Sequence, residues 1–319
     1  MLRCAILDDY QGVARRYGDF SRLDARVETT IFRENIADTE TLLATLAPFD
    51  IVVAMRERTP LGADRLSRLP NLKLLVTTGM KNAAIDVAAA KARGITVCGT
   101  PGFVGSTAEL AWGLLLGLMR HIPEEVQAFR AGDAAWQRHV GRDLNGLTLA
   151  VLGLGNLGAK IAAFGKAFQM EVHGWSRNNT PERSAALGIH YAPDLDALLA
   201  RADVVSINLT LTGETRGLID ARRLGLMKKG AVLVNTSRGP IVDETALIAA
   251  LTSGHLGGAG LDVFDTEPLP ADHPFRTLPN VIATPHVGYV TDNSYRAFFT
   301  GIVENIEGWL AGNTPRILT

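Results

Sequence analysis

Two cysteines in 319 residues, Cys4 and Cys98, are too few for a disulfide framework, and both lie in apolar strand-like runs, so core thiols are expected. No cluster of Cys and His has metal-ligand spacing, and no metal is expected. Charge of one sign is also missing: 32 Lys and Arg face 33 Asp and Glu, a formal net charge of −1, without a basic run. That leaves no electrostatic footprint for nucleic acid or an anionic membrane surface. No apolar run approaches the roughly 20 residues that span a bilayer. The most apolar helical stretch, 110–119, is bounded by Glu109 and Arg120 and reads as a buried or interface helix. The start, MLRCAILDDY, enters a strand without a signal-like apolar segment, so a cytoplasmic location is expected. What is present is ordinary globular material, 47% hydrophobic, long enough for two cores and suited to a small-molecule partner.

Strand-like and helix-like patterns alternate throughout, which predicts an α/β chain with parallel sheets. The first series has strands at 3–8, 50–55, 72–78 and 95–99, with helices at 39–46 and 86–93. Proline and glycine then break the pattern in TPGFVGST, 100–107, the expected crossover, before a helix at 108–121. A second series of six strands follows at 147–153, 171–175, 203–209, 231–237, 258–264 and 281–285, the size of a Rossmann domain. The tail from about residue 291 reads as a helix with Trp309 and Leu310 on its apolar face, returning to cover the first unit. The expectation is two doubly wound parallel-sheet domains: a substrate domain of 1–99 and 288–319, and a Rossmann domain of 100–287 inserted into it.

VLGLGNLGAKIAAF places Gly153, Gly155 and Gly158 directly after an apolar strand and before a helical pattern. Gly153 permits the tight turn, Gly155 lets backbone approach a pyrophosphate, and Gly158 lets helix pack closely on strand. Dinucleotide binding follows. Where an NAD-binding chain of the common kind carries an acidic residue for the adenosine ribose, VHGWSRNN has Ser176, Arg177 and Asn178. The carboxylate that would repel a 2′-phosphate is missing and a cation stands beside its place, so NADP is expected over NAD.

In open α/β sheets ligands gather at the carboxyl ends of the strands. Arg238 in NTSRGPIVDE, Glu267 in GLDVFDTEPLP and His286 in TPHVG all follow strands of the second series. Each alone has a bland reading as a surface ion pair, a loop residue or a capped histidine. Together they supply a cation, a carboxylate and an imidazole on the rim of the glycine turn, as hydride chemistry on a 2-hydroxy acid requires.

The order and spacing of GLGNLG, NTSRGPIVDE, GLDVFDTEPLP and TPHVG resemble the D-isomer-specific 2-hydroxyacid dehydrogenase family, in its glyoxylate/hydroxypyruvate reductase or phosphoglycerate dehydrogenase-like branches without a regulatory domain. The likeness covers nearly the whole chain. It implies a flavodoxin-like substrate domain, an active site in the cleft beside the cofactor domain, and a homodimer using the helix at 110–119. It also implies His286 as acid/base, Glu267 as its partner and Arg238 as the substrate clamp. Asp262 would stand near the nicotinamide, with a backbone-bonded strand-end role as its competitor. Asn156, Leu157, Thr210, Thr215 and Thr236 join the candidate coenzyme ligands. For substrate, Arg56 matches a family arginine, Met80 and Lys81 stand in the loop GMKNAAID, and Tyr289 replaces a small residue and narrows the pocket. The implied activity is reduction of a small 2-keto acid. The rival readings are a nucleotide-sensing corepressor and a phosphite dehydrogenase, while Glu267 before Pro268 speaks against formate dehydrogenase.

Overall fold

A computed structural model describes residues 1–103 and 105–318; Val104, within the expected crossover, and Thr319 lie outside the described residues. The chain divides into two compact units, Met1–Phe103 with Val290–Thr319, and Val104–Tyr289.

The first unit has strands β1 (Leu2–Ile6), β2 (Val27–Ile31), β3 (Ile51–Ala54), β4 (Leu74–Thr77) and β5 (Thr96–Gly99). They form a parallel sheet in the order β2-β1-β3-β4-β5, the flavodoxin-like winding. IVVA and LLVT are buried at every position, as strands covered on both faces must be. β2 was not expected: VETTI is a sheet edge with only Val27 buried, so it carries no apolar run. The covering helices are α1 (Ala14–Tyr17), α2 (Thr39–Leu46), α3 (Ala63–Ser67), α4 (Val87–Ala92) and the tail helix α12 (Asp292–Leu310). Asp38 and Asp86 start α2 and α4 by accepting the N–H groups of Thr41 and Ala89. The buried face of α12 is Tyr295, Phe298, Phe299, Ile302, Val303 and Ile306; Trp309 and Leu310, expected on that face, are only half-buried in its last turn. Both thiols are buried, which pushes Cys4 up to about 12 and Cys98 to about 11.

The second unit has β6 (Thr148–Leu152), β7 (Glu171–Trp175), β8 (His190–Tyr191), β9 (Val204–Ile207), β10 (Val232–Asn235), β11 (Gly258–Leu261) and β12 (Val281–Ala283). The order β12-β11-β10-β9-β6-β7-β8 is doubly wound, with its switch point between β6 and β9. Among the described residues there are seven strands where six were expected. The extra one, β8, is two exposed residues at the sheet edge, too short to leave a periodic signal. Its helices are α5 (Ser106–Met119), α6 (Ile122–Ala131), α7 (Asn156–Ala167), α8 (Pro181–Leu187), α9 (Leu195–Arg201), α10 (Ala221–Leu226) and α11 (Glu244–Thr252). α5 covers its own sheet: Leu114 and Leu118 close on Gly260, where a Cβ would stand 3.0 Å from the Leu114 Cβ. Beyond α5, Ile122, Val126 and Phe129 of α6, with Trp136 and Val140, turn apolar side chains to solvent.

Candidate coenzyme and catalytic site

β6 ends at Leu152 and α7 begins at Asn156, so the glycine turn sits at the switch point. Gly153 adopts φ +93, and a Cβ there would stand 2.4 Å from the carbonyl oxygen of Asn208, the residue after β9. Gly158 is tighter still: its Cβ would fall 1.8 Å from the Gly153 oxygen. At Gly155 the opposite holds, since a Cβ would meet nothing within 4 Å. The helix N-cap is Gly155 itself, with no side-chain cap. The turn is therefore closed toward the protein and open outward, at the uncapped end of a twelve-residue helix whose first N–H groups suit a pyrophosphate. Asn156 and Leu157 form that first turn. Asn208 Oδ1, buried, makes no hydrogen bond within the protein. These residues fit a dinucleotide.

At the end of β7, Ser176 and Arg177 begin a turn closed by the Asn179 N–H donating to the Ser176 carbonyl at 3.0 Å. Asn178 is exposed, whereas Asn179 is buried and ties the turn to Gly174 and Ser184 through its amide. Arg177 is exposed and ion-paired with Glu214, a partner the sequence did not reveal because 37 residues separate the two (214 − 177). Thr215 Oγ1 donates to the Thr210 carbonyl at 2.7 Å and accepts the Thr212 N–H at 2.8 Å, so both threonines belong to one loop after β9. Thr236 is buried just beyond β10. Arg183, also unforeseen, reaches back from α8 to donate to the Leu154 carbonyl in the glycine turn at 2.6 Å.

The strand-end trio does gather in part. Glu267 Oε2 lies 2.6 Å from His286 Nδ1, and its other oxygen accepts the Phe264 N–H at 2.9 Å. The carboxylate accepts from both sides, so Nδ1 carries a hydrogen and Nε2 remains for exchange. His286 adopts φ +53 in the turn after β12, and the Tyr289 ring meets it edge-on at 5.7 Å. Asp262, at the end of β11, anchors this turn. Its Oδ1 accepts from Thr284 Oγ1 at 2.6 Å and the Val287 N–H at 2.8 Å, and its Oδ2 from the Gly288 N–H at 2.8 Å. Burial pushes its carboxyl above the usual range, against those three donors and the His286 charge. Both oxygens are thus engaged by the turn. Arg238 follows β10, half-buried, with Nη1 donating to the Ser237 carbonyl at 2.6 Å.

Three candidate substrate residues belong to the first unit. Arg56 follows β3 at φ +53, with its N–H on Thr78 Oγ1 at 2.9 Å and Nη1 on the Thr78 carbonyl at 3.2 Å. Gly79 makes room for it, since a Cβ there would fall 2.1 Å from Arg56 Nη1. Met80 and Lys81 are exposed in the loop after β4, and Asn82 ties that loop to Arg56 by donating to its carbonyl at 2.6 Å.

Residues 112–288 match the family model described as D-isomer specific 2-hydroxyacid dehydrogenase, NAD binding domain. A D-3-phosphoglycerate dehydrogenase of Methanocaldococcus jannaschii is 37% identical over 274 residues, 86% of this chain and 52% of the relative, so the chain spans about half of that protein's length. A glyoxylate reductase of Aeropyrum pernix is 38% identical over 265 residues, covering 80% of this chain and 78% of its own. Among solved structures, a phosphoglycerate oxidoreductase from Vibrio cholerae O395 superposes with a TM-score of 0.92 at 37% identity, over 98% of this chain and 100% of the other.

Proposed function

The chain belongs to the D-isomer specific 2-hydroxyacid dehydrogenase family, and from that premise we propose that it is a nicotinamide-dependent oxidoreductase interconverting small D-2-hydroxy acids and 2-keto acids. The reading rests above all on the Glu267–His286 pair, in which one carboxylate is fixed by the Phe264 N–H and orients one imidazole. A nicotinamide dinucleotide, when bound at the glycine turn, supplies or accepts the hydride. His286 handles the proton: Nε2 gives it to the substrate oxygen in reduction and takes it back in oxidation, while Glu267 stabilises the charged ring. Arg238 binds the substrate carboxylate by paired N–H bonds and so selects the face exposed to reaction. Arg56, Met80 and Lys81 add contacts to substrate, and Tyr289, against the His286 ring, limits its bulk. A glyoxylate- or hydroxypyruvate-type acid is the substrate class this favours, in line with the activity named for the Aeropyrum pernix relative.

NADPH is the preferred coenzyme in this reading, with Ser176 and Asn178 donating to the 2′-phosphate and Arg177 pairing with it. Glu214 competes for that guanidinium. Both side chains are about two-thirds exposed, 66% and 63%, and such a pair is worth only about 0–1 kcal/mol, so a dianionic phosphate displaces it readily. A homodimer is proposed as the assembly, with the exposed Ile122, Val126, Phe129, Trp136 and Val140 as the surface it would cover.

The test is a panel of 2-keto acids reduced with NADPH and with NADH by the wild type and by His286→Ala and Arg238→Ala. Turnover of glyoxylate or hydroxypyruvate is expected to exceed that of phenylpyruvate. Each variant should lose most of its turnover, His286→Ala by about 10²- to 10⁴-fold, while binding coenzyme nearly as before. Near-native turnover by His286→Ala would overturn the mechanism.

A further inference from the structure

The sheet edge opposite the catalytic turn carries a second group of chemically active side chains. Glu171 and His173 are two apart on β7 and so share one face of the strand, and His190 of β8 is the register partner of His173. One ligand atom from each lies within 4.8 Å of the others. The two imidazoles stack, with centroids 4.7 Å apart and planes inclined by 25°. His173 is buried at the inner end, while Glu171 and His190 are exposed.

The contacts within the group conflict. His173 Nε2 lies 2.8 Å from Glu171 Oε1, which only accepts, and 2.9 Å from Arg201 Nη2, which only donates. If Nε2 carries a hydrogen it serves Glu171 and confronts the guanidinium N–H. If it carries a lone pair it serves Arg201 and confronts the carboxylate. A cation that takes lone pairs from both atoms removes the conflict, and Arg201, half exposed at the end of α9, has solvent to retreat into.

We propose that Glu171, His173 and His190 bind a divalent first-row transition ion, with zinc as the representative, in place of the Arg201 guanidinium. Two imidazole nitrogens and one carboxylate oxygen are a borderline donor set that suits zinc, copper(II) or nickel over magnesium or calcium. Three protein ligands leave a fourth tetrahedral position to water. Metal–nitrogen bonds of about 2.0–2.1 Å place ligand atoms roughly 3.4 Å apart, so separations of up to 4.8 Å must close by as much as about 1.4 Å while the 2.8 Å approach of Glu171 to His173 opens by about 0.6 Å. The exposed Glu171 and His190 side chains can do so by rotation about their own bonds. The bound ion would clamp β8 onto β7.

The test is titration of the full chain, stripped with chelator and desalted, with zinc sulfate by calorimetry, alongside a magnesium control. One zinc per chain at micromolar affinity is expected, with a zinc-dependent rise in melting temperature. His190→Ala and Glu171→Gln, both at exposed positions, should weaken binding by at least about ten-fold and abolish that rise, with melting curves without metal showing the fold retained. Arg201→Gln should tighten binding several-fold, because it removes the competing cation. His139→Ala, in the other stacked histidine pair with His121, should change nothing. The proposal is overturned if no zinc binds at micromolar concentration, if affinity is indifferent to His190→Ala and Glu171→Gln or follows His139, or if Arg201→Gln weakens it.

Discussion

Asp262→Asn separates two roles for one buried carboxylate. In the native turn Oδ1 takes two donors, Thr284 Oγ1 and the Val287 N–H, and Oδ2 takes the Gly288 N–H. An amide oxygen at the Oδ1 position keeps the first two bonds but turns an NH₂ group toward the Gly288 N–H. Flipping the amide rescues Gly288 and opposes an NH₂ to the other two donors instead. One stranded buried N–H costs about 1–3 kcal/mol, and losing the charge weakens the retained bonds by up to about 1 kcal/mol each, so a destabilisation of about 2–4 kcal/mol is expected. The same change loosens the residue after His286, whose φ of +53 is held by this turn. A displacement of about 1 Å at the imidazole costs on the order of 10²-fold in turnover. Urea unfolding, kcat/KM on the best keto acid and coenzyme Kd by fluorescence quenching measure the three quantities separately. A lowered unfolding midpoint and lowered kcat, with coenzyme Kd nearly unchanged, are expected. A coenzyme Kd raised ten-fold or more with the midpoint in place would refute the anchoring role and make Asp262 a coenzyme contact.

Ser176→Asp with Arg177→Ala is expected to move the ratio of kcat/KM for NADPH over NADH toward NADH, and Glu214→Ala to move it the other way; a ratio indifferent to both sinks the phosphate reading. Gly158→Ala places a methyl 1.8 Å from the Gly153 oxygen, which should cost about 1–3 kcal/mol in denaturant melts and at least ten-fold in coenzyme affinity. Asp203 is held below the usual carboxylate range despite burial, which opposes it, by the Thr148 N–H and by Lys228 and Arg142. Its contribution is therefore present above about pH 4 and lost as the pH falls below that, so Asp203→Asn should cost about 2 kcal/mol at pH 7 and progressively less toward pH 3 in urea melts across pH.

Chemistry that the chain carries in short local patterns was legible before folding. An apolar strand, three spaced glycines and a helical period specify the coenzyme turn because each glycine answers a backbone requirement only a few residues away: the positive φ at Gly153 and the 1.8 Å approach at Gly158 are both within GLGNLG. The alternation of strand and helix likewise carried the two doubly wound sheets, since burial on both faces demands continuous apolar runs. Elements without that demand left no such trace, namely the edge strand VETTI and the two-residue β8. What only the tertiary structure decided are pairings between distant stretches. Glu214 meeting Arg177, and Asp262 closing on Val287 and Gly288, each join loops 25 to 37 residues apart, whereas Glu267 as the partner of His286 was already implied by the family motifs. The metal-ligand group is the plainest case. Glu171, His173 and His190 show no ligand spacing along the chain and become neighbours only because parallel pairing sets β8 beside β7. Sequence periodicity encodes which face of an element is buried; which side chains meet across elements depends on strand order and register, and these are fixed only when the whole sheet closes.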